Sequence, residues 1–180
     1  MRTALSHNVL RDYIINVTGD KRLRLRKNVS SPLSRYVGEV ISDVLSEAVR
    51  TMQADGKRRV MERHMRCAVV ICLGIDFDKR GRHMLSETEW ESQNIRPNRE
   101  VLPSHALVLY GHMARELRQF KLTRISQWYA GTVVYLTCVV SVALEDLLPI
   151  QGGAVRSDDI LSRVQHAEAN LRSVYNINNR

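Results

Sequence analysis

Cysteine is scarce in this chain of 180 residues, with only Cys67, Cys72 and Cys138. An odd set inside apolar helical segments reads as reduced core cysteine and excludes a disulfide framework. An intracellular or virion setting fits that usage. Metal-ligand pairs are lacking as well: Cys67 and Cys72 point to different faces of one helix, and together with His64 they find no matching pair elsewhere. No metal site is expected. No apolar run reaches the ~20 residues a bilayer span needs, because the longest, 130–144, is stopped by Glu145 and Asp146. Nor does a charged, apolar, small-residue series open the chain, so neither a membrane span nor a signal peptide is expected. A catalytic constellation is missing too. Asp158 and Asp159 follow Ser157, and a cap followed by first-turn acids is accounted for by the helix dipole. The chain therefore reads as a non-enzyme without a cofactor.

Lysine is the next shortage. Arginine outnumbers it 22 to 5 within a net charge of +8 and a pI near 9.8. A basic chain implies an anionic partner, and arginine favours planar, bidentate phosphate contacts over the diffuse pull of a lysine tail. Residues 1–93 carry 17 basic and 12 acidic side chains and the remainder 10 and 7, so the two parts are +5 and +3. Both halves are basic. With 44% hydrophobic residues, the chain can also bury a substantial core.

That core is organised by the stretch 31–56, SPLSRYVGEVISDVLSEAVRTMQADG. Leu33, Tyr36, Val37, Val40, Ile41, Val44, Leu45, Ala48, Val49 and Met52 follow the i, i+3, i+4, i+7 spacing of one helix face. Ser31 is placed to cap it, Pro32 suits the first helical position and Gly56 the stop. The helix would be roughly 36 Å long at 1.5 Å per residue, where the average is about 11 to 12 residues. So long a stripe needs a long partner, and 129–148 supplies it with Val133, Leu136, Val140, Ala143, Leu144, Leu147 and Leu148 before Pro149.

Around these two lie shorter elements. Ser6 to Val17 reads as a helix stopped by Gly19, and GDKRLRLRKNVS as an extended basic loop in which Arg22, Arg24 and Arg26 alternate with Leu23 and Leu25. Lys57, Arg58 and Arg59 form a second basic loop before a helix with Met65, Ala68, Val69, Cys72 and Leu73 on one face. A more polar helix is expected over 78–92, with Met84, Leu85 and Trp90 inward. QNIRPNREVLP, 93–103, is the linker. Ser104 then caps a helix with Ala106, Tyr110, Met113, Leu117 and Phe120, and 121–128 is a loop carrying Lys121 and Arg124. Past the second long helix comes the glycine-rich PIQGGAV, a short helix capped by Ser157 with Ile160, Leu161 and Val164, and a final piece with Leu171 and Val174. Each half reads short helix, basic loop, long helix, loop, short helix. Trp90 and Trp128 read as packing anchors.

This series resembles the histone fold, in which two short-long-short units clasp in a handshake. VSSPLSRYVGEVISDVLSEAV, KRRV, ERHMRCAVVICL and the GRHMLSETEW helix are similar to a 2B-type core histone. LVLYGHMARELRQF, TRIS, AGTVVYL, VRSDDILSRV and AEANLRSVY are similar to a 2A-type one, in the right order. A 2B-type half ahead of a 2A-type half is the arrangement of the histone doublets of large DNA viruses, the marseillevirus group in particular. The resemblance implies an all-α chain of two tandem histone folds, 1–92 and 104–180 joined by 93–103, that pair within one molecule. It implies double-stranded DNA bound without sequence preference, a partner doublet of the 3 and 4 types, and a place in the virion and viral replication site, or in chromatin if the protein is cellular. It sets Arg22, Arg24, Arg26, Lys27, Ser30 and Ser31 near 153–156 with Arg156, sets Lys57, Arg58 and Arg59 near Arg124, and counts Lys121 of the same loop among the DNA-binding residues. Arg115 and Arg118 match family arginines that face DNA.

Departures from the family pattern carry expectations of their own. The loop at Gly152 and Gly153 has Arg156 as its only charge, which makes that DNA site weak. The acidic surface of 2A-type histones is thin: Ser141 and Pro149 stand at two of its positions, Asp146 keeps one, and Glu168 is the only acid just after the third helix. The chain ends soon after Tyr175, and long lysine-rich tails are missing. A trimmed doublet is implied. Two other classes stay open: a stand-alone architectural or regulatory DNA binder, and a helical adaptor whose basic loops take acidic proteins.

Overall fold

A computed structural model describes residues 5–21, 24–77, 92–94, 101–120, 127–128, 131–148 and 157–178. Six helices make up most of these: α1 His7–Thr18, α2 Lys27–Ala54, α3 Glu62–Leu73, α4 Leu107–Gln119, α5 Thr132–Leu147 and α6 Ser157–Asn178. The β structure among them is two residues long on each side, β1 Arg59–Val60 and β2 Gln127–Trp128, paired in parallel. The expected polar helix over 78–92 falls almost wholly outside the described residues.

The helix ends show which sequence signals governed. The Ser6 hydroxyl accepts from the Val9 amide at the start of α1, and Gly19 closes that helix in the left-handed conformation. At the end of α2, Gly56 has φ +66°; its amide donates to the Gln53 carbonyl and the Lys57 amide to the Met52 carbonyl, the paired bonds of a Schellman stop. The start of α2 differs from expectation. It begins at Lys27, with Arg26 as an N-cap that makes no side-chain cap bond and with Pro32 inside the helix. Val29, four residues before Leu33, is buried on the same face, so the apolar stripe draws the helix back past Ser31. Ser104 is likewise no cap, because it lies in the turn before Ala106, and α4 starts at Leu107. The two pieces expected near the C-terminus are one helix, α6. Ile160, Val164, Glu168 and Leu171 are buried at helical spacing, and no glycine or proline interrupts them.

One apolar core collects side chains from both halves. From α2 it holds Leu33, Val37, Val40, Val44, Leu45 and Ala48, and from α5 Leu136, Val139, Val140, Ala143 and Leu144. Twelve of the sixteen α5 residues are buried, as befits a helix covered on all sides. α2 packs against α1, α3, α5 and α6, and α1 against α4. Phe77, after α3, meets Tyr135 of α5 edge to face with centroids 5.4 Å apart. At the far end of the linker, Leu102 is buried against Ala106 and Val134, so that part of 93–103 is seated rather than loose. Cys72 is buried and Cys138 half-buried, but Cys67 is exposed, which corrects the reading of all three as core cysteines. Burial, and then the carboxylates of Asp43 and Glu47, push the Cys72 thiol up to about 12, so it stays protonated.

A polar chain crosses the seam between the halves. The Tyr13 hydroxyl donates to the Ser141 carbonyl at 3.0 Å and lies 2.9 Å from Ser141 Oγ. Ser141 Oγ donates to Glu145 Oε1 at 3.3 Å, and His105 Nε2 lies 3.0 Å from the same oxygen. Tyr13 is 0% exposed, and Ser141 meets its hydroxyl through both the carbonyl and Oγ. A hydrogen bond of this kind contributes about 0.5–1.5 kcal/mol. In denaturant titrations, Tyr13→Phe and Ser141→Ala should therefore each destabilise, and the double variant by less than the sum. Additive losses would mean that the contact contributes nothing.

Candidate nucleic-acid interface

The loop that follows α2 and the loop that precedes α5 meet. Arg59 stands opposite Gln127 and Val60 opposite Trp128 in the parallel pairing. Two features hold this junction from below. Val60 is fully buried, and Trp128 packs edge to face on Phe120 with centroids 6.0 Å apart, the anchoring role its position suggested. Lys57, Arg58 and Arg59 are left exposed on the outside. Arg124, expected beside them, and Lys121 lie outside the described residues, but β2 begins three positions after Arg124.

Alongside this junction, α3 is pinned to the end of α2. Asp55 Oδ2 accepts from Arg63 Nη2 at 2.7 Å and lies 3.1 Å from His64 Nε2. The other ring nitrogen, Nδ1, accepts the Met61 amide at 2.9 Å, which fixes the proton on Nε2. Hydrogen bonds from Arg63 and then His64 hold the Asp55 carboxyl below its ordinary range.

A second cationic group surrounds the start of α2. Arg24, Arg26 and Lys27 are exposed, as is Ser31. Ser30 is not: it is buried, its hydroxyl donates to the Lys27 carbonyl at 3.2 Å and lies 2.8 Å from His7 Nδ1. A side-chain role for Ser30 in phosphate binding is thus replaced by a structural one. Arg22 and the 153–156 loop with Arg156 lie outside the described residues. A third group, Arg115 and Arg118, is exposed on α4 at a spacing of three, which places both on one side of the helix. Burial, and then the Arg115 charge, lower the His112 pKa.

The ion pairs separate the arginines into two sets. Arg11 pairs with Asp12, Arg35 with Glu168, Arg50 with Glu47, Arg63 with Asp55 and Arg66 with Glu62. Arg24, Arg26, Lys27, Lys57, Arg115 and Arg118 have no carboxylate partner among the described residues. All six belong to the groups expected to meet phosphate, and their charge faces solvent. Such a set attracts polyanions over a range set by ionic strength.

The Arg35–Glu168 tie was not visible in the sequence. Arg35 Nε and Nη2 donate to the two Glu168 oxygens at 2.9 and 3.3 Å across the halves, a bidentate pair that joins α2 to α6. Glu168 is therefore a buried structural acid and offers no acidic surface. Ser141 is buried as well, and of the acids expected on that surface Asp146 alone is exposed. Beside it, an open groove of about 480 Å³ runs between Tyr36, Cys72, Asp146, Arg163, His166 and Leu171. Burial, and then Asp146 and Glu168, push the Tyr36 phenol up to about 12. The side chains of Asp158 and Asp159 lie outside the described residues. No helix among those described is long and apolar enough to cross a membrane, and no cluster of metal-ligating side chains occurs among them. In comparisons with known proteins, the chain matches no family model, no curated protein and no solved structure.

Proposed function

We propose that this chain is a structural DNA-packaging protein, a histone doublet whose 2B-type and 2A-type halves clasp as an intramolecular handshake. The observation that carries the reading is the parallel pairing of Arg59–Val60 with Gln127–Trp128. It joins the second loop of one helical unit to the first loop of the other, next to exposed cations at 57–59. The order of helices, the shared core and the cations at the start of α2 and on α4 that have no carboxylate partner among the described residues support the same reading. Guanidinium groups, hydroxyls and backbone amides would hold DNA phosphates without reading sequence. That mode is the one histone octamers use, and it comes with the resemblance rather than from this chain. The chain acts without catalysis, with a partner doublet of the 3 and 4 types, in a virion or viral replication site, or in a nucleus if it is cellular.

A second reading is a stand-alone architectural or regulatory DNA binder with the same fold. It is favoured by one observation: with Glu168 held by Arg35, little acidic surface remains for other chromatin components to dock on. Both readings predict that affinity for two unrelated duplexes falls alike with salt, by a log–log slope of about −0.9 per phosphate contact. Fluorescence anisotropy at stepped salt measures it. A flat profile, or tight binding to an acidic protein instead, would favour the helical adaptor.

A further inference from the structure

We infer that Ser31 is a phosphorylation site for a proline-directed serine/threonine kinase, and that its phosphate displaces DNA from the cations at the start of α2. Ser31 is exposed, and its hydroxyl makes no hydrogen bond among the described residues. It does not cap α2, which begins four residues earlier. Pro32 follows it, and a Ser-Pro pair is what this class of kinase accepts, in extended form. The first turns of α2 are suited to opening: Arg26 makes no side-chain cap bond, Pro32 has no N–H to give the Asn28 carbonyl, and the residue before a proline disfavours helical geometry. Burial of Val29 and Ser30 opposes opening, so transfer should be slow in the folded chain and slower still on DNA.

The phosphate would find partners already in place. Lys27 and Arg35 lie four residues to either side of Ser31, on its face of the helix. Lys27 has no carboxylate partner among the described residues. Arg35 holds Glu168 through Nε and Nη2, which leaves Nη1 for a second acceptor. The kinase moves the γ-phosphoryl group of ATP to Ser31 Oγ, the hydroxyl proton leaves to the kinase base, and ADP is released. The product carries about −1.5 to −2 charge at pH 7 beside Arg24, Arg26 and Lys27, and competes for them with DNA phosphate. Ser31 is exposed and the new charge is flanked by Lys27 and Arg35 at helical spacing, so the chain itself should not be weakened.

The DNA part of this inference rests on the proposed function; the modification does not. The test treats the full chain with ATP and a proline-directed kinase, maps the product by mass spectrometry, and compares it with the same sample after phosphatase. One phosphoryl group should appear at Ser31, and it should be absent from the Ser31→Ala and Pro32→Ala variants. Affinity for duplex DNA at ~0.1 M salt should fall by about tenfold or more, with the melting temperature unchanged or raised, and phosphatase should restore it. No phosphate at Ser31, unchanged affinity, or a fall in affinity that tracks a fall in melting temperature would each overturn the inference. If the unmodified chain shows no salt-dependent DNA binding, the DNA-binding reading fails and takes the displacement with it, while the mapped phosphate still decides the site.

Discussion

Val44→Asp is expected to unfold both halves in a single transition. Val44 is 0% exposed near the middle of α2, the helix that packs against α1, α3, α5 and α6. An aspartate there would sit in the apolar core, and an uncompensated buried charge costs about 3–5 kcal/mol out of a usual total of about 5–15 kcal/mol. Because α5 is covered on nearly all sides, it cannot keep its helical packing once α2 leaves. Amide exchange followed by mass spectrometry should therefore show α3 and α5 losing protection together. Protected α5 amides beside an unprotected α2 would mean two independent domains and would contradict the shared core. Val44→Ala, which leaves only a cavity, should destabilise less and keep one transition.

The second large effect concerns binding. Replacing Arg22, Arg24 and Arg26 with alanine should weaken DNA affinity on the order of tenfold to a hundredfold at low salt, equally for unrelated sequences. The salt slope should shrink by up to about 0.9 for each lost phosphate contact. Arg50→Ala is the contrast, since Arg50 is already held by Glu47 and should leave the slope unchanged. Equal losses from both variants would show that net charge alone governs binding. A loss confined to one sequence would point to base readout.

Much of this was legible because local signals and burial agreed. The apolar stripe of α2 and its stop at Gly56 belong to that class: a period of 3.6 and a left-handed glycine are properties of the chain itself. So does the α1 cap at Ser6. The signals that misled were local ones overruled by packing. Ser31 and Pro32 look like a helix start, yet buried Val29 extends the helix four residues back. Ser104 looks like a cap, yet the seat of Leu102 and Ala106 against Val134 delays α4 to Leu107. Long-range polar contacts left no trace in spacing. Arg35 and Glu168 are 133 residues apart, and Tyr13 and Ser141 are 128 apart; neither residue type announces its partner. The basic loops were legible as charge, but which cations stay unpaired depends on where Glu47, Asp55, Glu62 and Glu168 fall in three dimensions.

The face left by the C-terminal turns of α2 and the outer side of α3 bears on assembly. Val70 there is 52% exposed, with Cys67 beside it on the same helix face. On the proposed reading this face meets the partner doublet, two copies of each surrounding one DNA wrap. On the same reading, the stretch around Gly152 and Gly153, with Arg156 as its only charge, should let the DNA ends open easily. The most direct measurement is reconstitution with a doublet of the 3 and 4 types on long DNA, followed by nuclease digestion at rising salt. The account predicts one discrete protected length that shortens as salt rises. Short, ragged fragments with no co-assembly would contradict it and leave a lone DNA binder, and protection as salt-resistant as that of a cellular nucleosome would contradict the weak edge.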